Sequence, residues 1–476
     1  MAQAAPSSGD EGFNYLSHDQ IKLVMVGLMA GMFLAALDQS IVGVALPRIV
    51  SDLGGLNKLS WVVTAYLLTS TAVTPLWGKI SDLYGRRIIF QTAIIIFLIG
   101  SALCGISQSI EQLIVFSALQ GIGGGGLFAI ALATIGDIVP PRERGRYQGY
   151  FGAVFGVSSV AGPLLGGWFT DGPGWRWIFY INIPIGIAAL FIISFALKIP
   201  FVKREAKIDY LGAAVIVAGV TSLLLYLNWA GEQYGWGAPI SLALVGASVL
   251  LAIVFVFVEL RAPEPIIPMR LFRIPTFSIG NAFGFMVGVA MFGAIVFLPL
   301  YLQAAKGMSP TESGLGMLPM VFGLFTMSLF SGKYISRTGK YRVFPILGSA
   351  IVIVALLLLS RVHADSSYWE LALFSYLFGS GLGMTMQTIV TAVQNVVPFK
   401  DMGAATSSTT FFRSLGGAIG TAIFGAILAS RLGVHLADQF ASLPAGTIDP
   451  STVNANSIEA IQAMPDEIKH LVVTAY

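Results

Sequence analysis

Charge is scarce in this sequence. Only 11% of its 476 residues are Asp, Glu, Lys or Arg, against roughly 25% in an ordinary soluble domain. That excludes a freely soluble globular protein and a charge-rich disordered chain. There is one cysteine, Cys104, so no intrachain disulfide can form, and no Cys/His spacing fits a metal site. The four histidines, His18, His363, His435 and His470, fall in tails or loops and offer no proton relay at apolar depth. The first twenty residues lack the apolar stretch of a cleaved signal peptide. No Gly-rich phosphate loop followed by Lys and Ser/Thr is present, which excludes an ATP-driven pump. No catalytic triad or deep acid/base pair occurs, so an enzyme is not expected, and no cofactor is implied. The net charge of +3 is spread over short, separated clusters, whereas nucleic-acid binding needs a concentrated basic face.

What is abundant is apolar. The AVILMFWYC set makes up 55% of the chain, with 54 glycines, and mean hydropathy is +0.79. A run of about 20 apolar residues spans a bilayer as a helix. Thirteen such runs can be read, at roughly 21–46, 60–78, 88–107, 112–136, 147–170, 177–197, 209–229, 239–259, 277–303, 313–332, 343–361, 368–397 and 403–430. Helix follows because backbone facing lipid must satisfy itself internally, and the alternating ten-residue segments of a β-barrel are absent. With the N-terminus inside, the inner loops carry eighteen Lys and Arg against seven outside. That asymmetry predicts a cytoplasmic N-terminus in a multi-pass cell-membrane protein.

An internal repeat divides the chain. Gly78-Lys79-Ile80-Ser81-Asp82-Leu83-Tyr84-Gly85-Arg86 follows the second run, and Gly332-Lys333-Tyr334-Ile335-Ser336-Arg337-Thr338-Gly339-Lys340 follows the tenth. Gly162, Gly166 and Gly167 in the fifth run are echoed by Gly416, Gly417 and Gly420 in the thirteenth. The expected organisation is a cytoplasmic tail over 1–20, a six-helix half over 21–199, an inserted pair (helices 7 and 8) over 200–262, and a second half over 263–431 with helices 9–13. A polar extracytoplasmic segment over 432–476 would precede a missing fourteenth helix; the alternative is a natural thirteen-helix chain. Parallel six-helix halves are a transporter plan with the substrate between them at mid-membrane.

The motifs resemble the major facilitator superfamily, and within it the fourteen-helix drug:proton antiporters. The resemblance rests on Gly78-Lys79-Ile80-Ser81-Asp82-Leu83-Tyr84-Gly85-Arg86-Arg87 after helix 2 and on Gly162-Pro163-Leu164-Leu165-Gly166-Gly167 in helix 5. It also rests on Leu37-Asp38-Gln39-Ser40-Ile41-Val42-Gly43-Val44-Ala45-Leu46-Pro47 in helix 1 and on Trp175-Arg176-Trp177-Ile178-Phe179-Tyr180-Ile181-Asn182-Ile183-Pro184. Coverage runs from about residue 20 to 430. The resemblance implies an all-α polytopic fold of two pseudo-symmetric halves and proton-coupled export of hydrophobic or cationic small molecules by a monomer. Multidrug efflux and antibiotic resistance follow as expectations. Two positions depart from the pattern. Ser117 stands where the fourth-helix motif usually has arginine, removing an embedded charge that the family links to proton movement, and Ser158 replaces the first glycine of the fifth-helix motif.

Asp38 carries the sharpest chemical expectation. It alone among the 24 acidic residues falls well inside an apolar run, where a charge is costly and usually serves a cavity. Such a carboxyl is suited to reversible protonation, alternating with a cationic substrate; the other reading is a structural cap or pair. The resemblance implies that Asp82, with Gly78, Gly85, Arg86 and Arg87, locks the halves in the outward-facing state. Ser158, Gly162, Pro163, Gly166 and Gly167 form a small, bent stripe that admits a neighbouring helix. Arg413 lies about ten residues into helix 13 and either snorkels to the interface or replaces the charge missing at Ser117. Gln387, Thr391 and Gln394 share one face of helix 12, and Ser117 and Gln120 one face of helix 4. With Asn281, Phe285 and Tyr66 these are candidate cavity linings, or plain interhelical contacts. A lipid or other amphiphile exporter, a symporter, and a non-transporting receptor or scaffold of transporter descent are the alternatives.

Overall fold

The computed structural model describes residues 18–53, 58–141, 143–197, 208–232, 234–363 and 365–441. Among them there is no strand. Thirteen long helical elements occur where the thirteen apolar runs stand. They are α1 (His18–Leu53), α2 (Leu59–Tyr84), α3 (Arg86–Ile106), α4 (Ile110–Ile138) and α5 (Arg144–Asp171), then α6 in two pieces (Trp177–Tyr180 and Asn182–Ala196), α7 (Tyr210–Glu232) and α8 (Pro239–Arg261). The last five are α9 (Pro275–Ala304), α10 in two pieces (Pro310–Gly316 and Leu318–Thr338), α11 (Val343–Leu359), α12 (Tyr368–Gln394) and α13 (Met402–Ala441). Ten of these segments are long and apolar enough to cross a membrane. Those ten do not include α11, which is short, or α2 and α12, which are long but more polar.

Local chemistry sets the ends. The Ser109 side chain caps α4 by accepting from the Gln112 N–H, and Ser309 and Glu312 form a reciprocal capping box at the start of α10. Gly339 closes α10 in the left-handed conformation at φ 70°. Between α2 and α3 there is only Gly85, at φ 94°, a backbone state that other residues rarely reach. The breaks within α6 and α10 precede Pro184 and Pro319, which cannot donate the N–H that would continue the preceding turn. The apolar runs did not show them, because both interruptions are themselves apolar.

The internal repeat is also a packing repeat. Contacts of α2 with α4, α1 with α5 and α3 with α4 recur as α10 with α12, α9 with α13 and α11 with α12. Each half has its own core. One holds Leu28, Phe90, Phe97, Ile130 and Phe151, and the other Met291, Leu302, Met320, Phe378 and Leu382. The inserted pair α7–α8 packs on itself and, through α7, on both α2 and α13. A third apolar cluster forms there from Ala72, Ile216, Val220, Phe255 and Phe411. Large apolar side chains left exposed, including Ile99, Val115, Phe191, Leu250 and Leu357, form the surface that lipid would cover.

The expected tail over 1–20 and the basic loop residues Arg142, Lys198, Lys203, Arg204 and Lys207 lie wholly or largely outside the described residues. So does the chain after Ala441, with His470 and Lys469. α13 itself runs past the expected end near 430 to Ala441.

Candidate functional site

Asp38 sits in the middle of α1 and is 2% exposed. Its Oδ1 accepts from Gln120 Nε2 of α4 at 2.8 Å and from Asn182 Nδ2 of α6 at 3.1 Å. Asn182 is itself oriented by donating to Ser101 Oγ of α3 at 3.0 Å. No basic side chain pairs with Asp38 among the described residues. Four helices of one half thus converge on one carboxyl group through neutral donors. A glycine makes this convergence possible: a Cβ on Gly100 would lie 2.5 Å from the Gln120 backbone nitrogen.

Asp38 opens on a cavity of about 200 Å³. Gln39, Tyr66, Ser117 and Gln120 supply its polar wall, and Phe292, Ile295 and Val296 of α9 its apolar wall from the other half. Gly124 leaves the room taken by the Tyr66 hydroxyl, 2.4 Å from where its Cβ would be. Four expected residues, Asp38, Tyr66, Ser117 and Gln120, are therefore brought together. Ser117 is buried beside Cys104, Oγ to Sγ 3.7 Å. Arg413 does not pair with Asp38, whose partners are the amides of Gln120 and Asn182.

The remaining expected lining residues lie elsewhere. Thr391 and Gln394 are buried in a seam between the halves, away from this cavity. Thr391 Oγ1 donates to Gln148 Oε1 at 2.7 Å, and Gln148 Nε2 to Gln394 Oε1 at 2.8 Å. Arg144 completes that seam, bonding Gly136 O of α4 at 2.6 Å and Gln394 O of α12 at 3.2 Å. These carbonyls stand at helix C-termini, where a cation is favoured. Asn281, Phe285 and Gln387 stand on α9 and α12 in the second half and do not line the Asp38 cavity. Nothing in the sequence alone marks Arg144, Gln148 or Asn182 as a site residue. Asn182 lay within a quoted motif, but nothing in its spacing pointed at Asp38.

At the same end of the bundle, Asp82 joins the halves. Its Oδ1 accepts from the Gly403 N–H and its Oδ2 from the Ala404 N–H, both at 2.9 Å. These are first-turn amides of α13, unpaired within the helix and at its positive end. Arg86 holds Asp82 from behind, pairing with it, with Ser81 Oγ, and with Asp137 Oδ2 at 2.6 Å. Gly78 has no room for a side chain: a Cβ would fall 2.1 Å from Ser407 Oγ and 2.6 Å from Gly403 O. Arg87 is half-buried with no such contact. Two further ion pairs run through the α8–α9 connection. Lys79 meets Glu264 at 2.6 Å, and Arg270 meets Asp401 at 2.8 Å.

The small residues of α5 serve two faces. Gly145, Gly149, Gly152 and Gly156 meet α10 across the halves. Ser158 and Gly162 meet α1 within one half: Ser40 Oγ donates to Ser158 O at 2.9 Å, and a Cβ on Gly162 would lie 2.1 Å from Ser40 Oγ. The fifth-helix motif thereby fixes α1 two residues from Asp38. Pro163 contacts Gly314, and Gly167 lies near Thr311, at the start of α10. Gly166 is buried.

A family model described as the Major Facilitator Superfamily matches residues 28–421. The chain belongs to that superfamily. It is similar to the Multidrug transporter protein MdtP of Bacillus subtilis, 40% identical over 89% of this chain and 79% of that one. It is likewise similar to an uncharacterised MFS-type transporter of Mycobacterium tuberculosis, 42% identical over 99% of this chain and 68% of that one. Among solved structures, the human organic anion transporter MFSD10 superposes with a TM-score of 0.64 at 15% identity, covering 85% of this chain and 93% of that one. The proton:xylose symporter XylE gives 0.63 at 12%, covering 88% and 91%. These two share the superfamily fold. The protein is thus a multi-pass membrane transporter with multidrug and efflux-pump relatives.

Proposed function

We propose that this superfamily member exports hydrophobic or cationic small molecules across the cytoplasmic membrane in exchange for protons, with Asp38 as the exchanging group. The observation that carries the reading is the environment of Asp38: deep in the membrane, held by two neutral amides, free of any basic partner among the described residues, and open to a cavity between the halves. A carboxyl so placed gains or loses a proton without breaking an ion pair. A substrate cation entering the cavity competes with the proton for the same oxygen atoms. The apolar wall from α9 suits the hydrophobic body of such a substrate.

In this reading the Asp82 end faces the cytoplasm and is shut. Opening inward requires Asp82 to leave the α13 amides, and the Arg144–Gln148–Gln394 seam to part. Inward proton movement supplies about 2.3 kcal/mol per charge for each 100 mV of membrane potential. The test is efflux of a fluorescent cationic drug from proteoliposomes under an imposed pH gradient. Asp38→Asn is expected to lower gradient-driven efflux by about a hundredfold, the scale of losing a charged group's hydrogen bonds. Unchanged gradient-driven efflux in Asp38→Asn would overturn the assignment.

A further inference from the structure

Asp209 and Glu259 are left unused by this scheme. Asp209 immediately precedes α7 and Glu259 stands near the end of α8, so both belong to the inserted pair. Each carboxyl has one oxygen fixed by the backbone. Asp209 Oδ1 accepts from the Gly212 N–H at 2.8 Å, capping α7, and Glu259 Oε2 accepts from the Ile267 N–H at 3.0 Å. The second oxygen of each, Asp209 Oδ2 and Glu259 Oε1, is buried and has no partner among the described residues. These two free oxygens converge. A Cβ on Gly212 would lie 2.4 Å from Asp209 Oδ2 and 2.8 Å from Glu259 Oε1. Both therefore stand around one point, in the room that a glycine leaves between α7 and α8.

Glu259 is 2% exposed as a whole residue, yet it borders a cavity of about 390 Å³ at the closed end of the bundle. Two carboxylates this close and out of bulk water repel each other. The charged groups around them are engaged elsewhere or turned to solvent. On α2, Lys79 pairs with Glu264 at 2.6 Å, and Asp82 pairs with Arg86. On the α8–α9 connection, Arg270 pairs with Asp401 at 2.8 Å, and Arg273 is exposed. Arg261 at the end of α8 and Lys400 ahead of α13 are exposed, and α13 has no charged residue before Arg413. A single proton would remove the repulsion and supply the missing donor, because a carboxylic acid O–H donates where a carboxylate only accepts.

The pair also connects to the contacts that close this end. Glu259 holds the α8–α9 connection at Ile267, Glu264 of that connection holds Lys79 of α2, and Arg270 holds Asp401 one residue ahead of α13. We propose that Asp209 and Glu259 bind one proton between them, and that the closed cytoplasmic end holds this proton more tightly than the open end. The site lies on the inserted pair and is separate from Asp38. It rests on the export reading only in taking this end as the one that opens to the cytoplasm. Release of the proton leaves two like charges, which push α7 from α8 and slacken the connection that Glu259 holds. Because the closed state binds the proton better, closure is favoured at low pH and lost as pH rises.

The deciding measurement is the distance between spin labels at the exposed positions Tyr84 and Phe399, in the full chain in lipid nanodiscs without substrate, between about pH 6 and about pH 8. Every sample carries Asp38→Asn, so titration of Asp38 makes no contribution and the outcome is independent of proton exchange there. Raising the pH is expected to increase the share of long distances about tenfold. Glu259→Gln and Asp209→Asn retain an acceptor for each backbone N–H and place an amide N–H where the proton would be. Each is expected to hold the share at its low-pH level across the range. No pH response in the Asp38→Asn protein overturns the proposal, as does a response that persists in either variant. If one variant does not fold, the other decides by the same criterion.

Discussion

Asp38 Oδ1 receives two amide N–H groups, from Gln120 and from Asn182, and these come from different helices. Neither amide can titrate, so both define a position for the carboxyl without neutralising it. Hydrogen bonds to charged groups are worth about 1.5–3 kcal/mol, and the two donors therefore weigh on how long Asp38 holds its charge and where it points. Gln120→Leu and Asn182→Leu should each lower drug efflux by about tenfold in a vesicle assay while leaving purified protein folded by circular dichroism. If efflux is unaffected in both, the amides are ordinary packing. Asp38 was legible in the sequence because a lone acid in an apolar run is rare and costly. Asn182 was not, because an asparagine near a helix start reads first as a cap and its partner lies 144 residues away.

At the scale of helices, the repeat that was visible as Gly78 and Gly332 reappears as matched contacts. Gly78 of α2 presses on Gly403, the second residue of α13, and Gly332 of α10 presses on Gly145, the second residue of α5. The charges do not follow this symmetry. Asp82 binds two first-turn amides of α13, whereas its counterpart Ser336 has a buried hydroxyl with no partner. One seam is joined through a carboxylate, the other through packing and one neutral hydrogen bond, from Ser328 Oγ to Gly149 O at 3.5 Å. Ser336→Asp should place a second carboxylate at the amino end of α5, where a negative charge is favoured. The expected result is a slower transport cycle, with drug efflux reduced several-fold and thermal stability in detergent raised; unchanged stability together with unchanged efflux would mean that Ser336 does not face α5 as Asp82 faces α13. Thirteen helices and the repeat were readable because apolar length and glycine spacing are local properties. The breaks at Ile181 and Met317, and the division of the α5 stripe between α10 and α1, were not. They depend on which neighbour each turn meets.

The whole molecule is held shut at one end by contacts that cross between the halves: Asp82 on α13, Arg144 and Gln148 on α12, and the Lys79–Glu264 pair at the α8–α9 connection. Partners in these contacts are separated by between 185 and 322 residues, which is why charge counting alone could assign their loops to one side without pairing them. Spin labels at Tyr84 and Phe399, both exposed at this end, would report its separation, since the only native cysteine is buried. Asp82→Asn is expected to raise the share of long distances about tenfold through loss of charge-assisted bonds; a distance distribution identical to wild type would show that Asp82 is not what keeps the end closed.

The claim that one carboxyl group exchanges protons against substrate is tested most directly by following protons while substrate supplies the force. Proteoliposomes holding a pH-sensitive dye are given an outward gradient of a permanently charged cationic drug, with no pH difference at the start and the membrane potential clamped. The account predicts acidification of the lumen as drug leaves, present in wild type and lost in Asp38→Asn. Drug leaving wild-type vesicles with no change in luminal pH, or with alkalinisation, would contradict it.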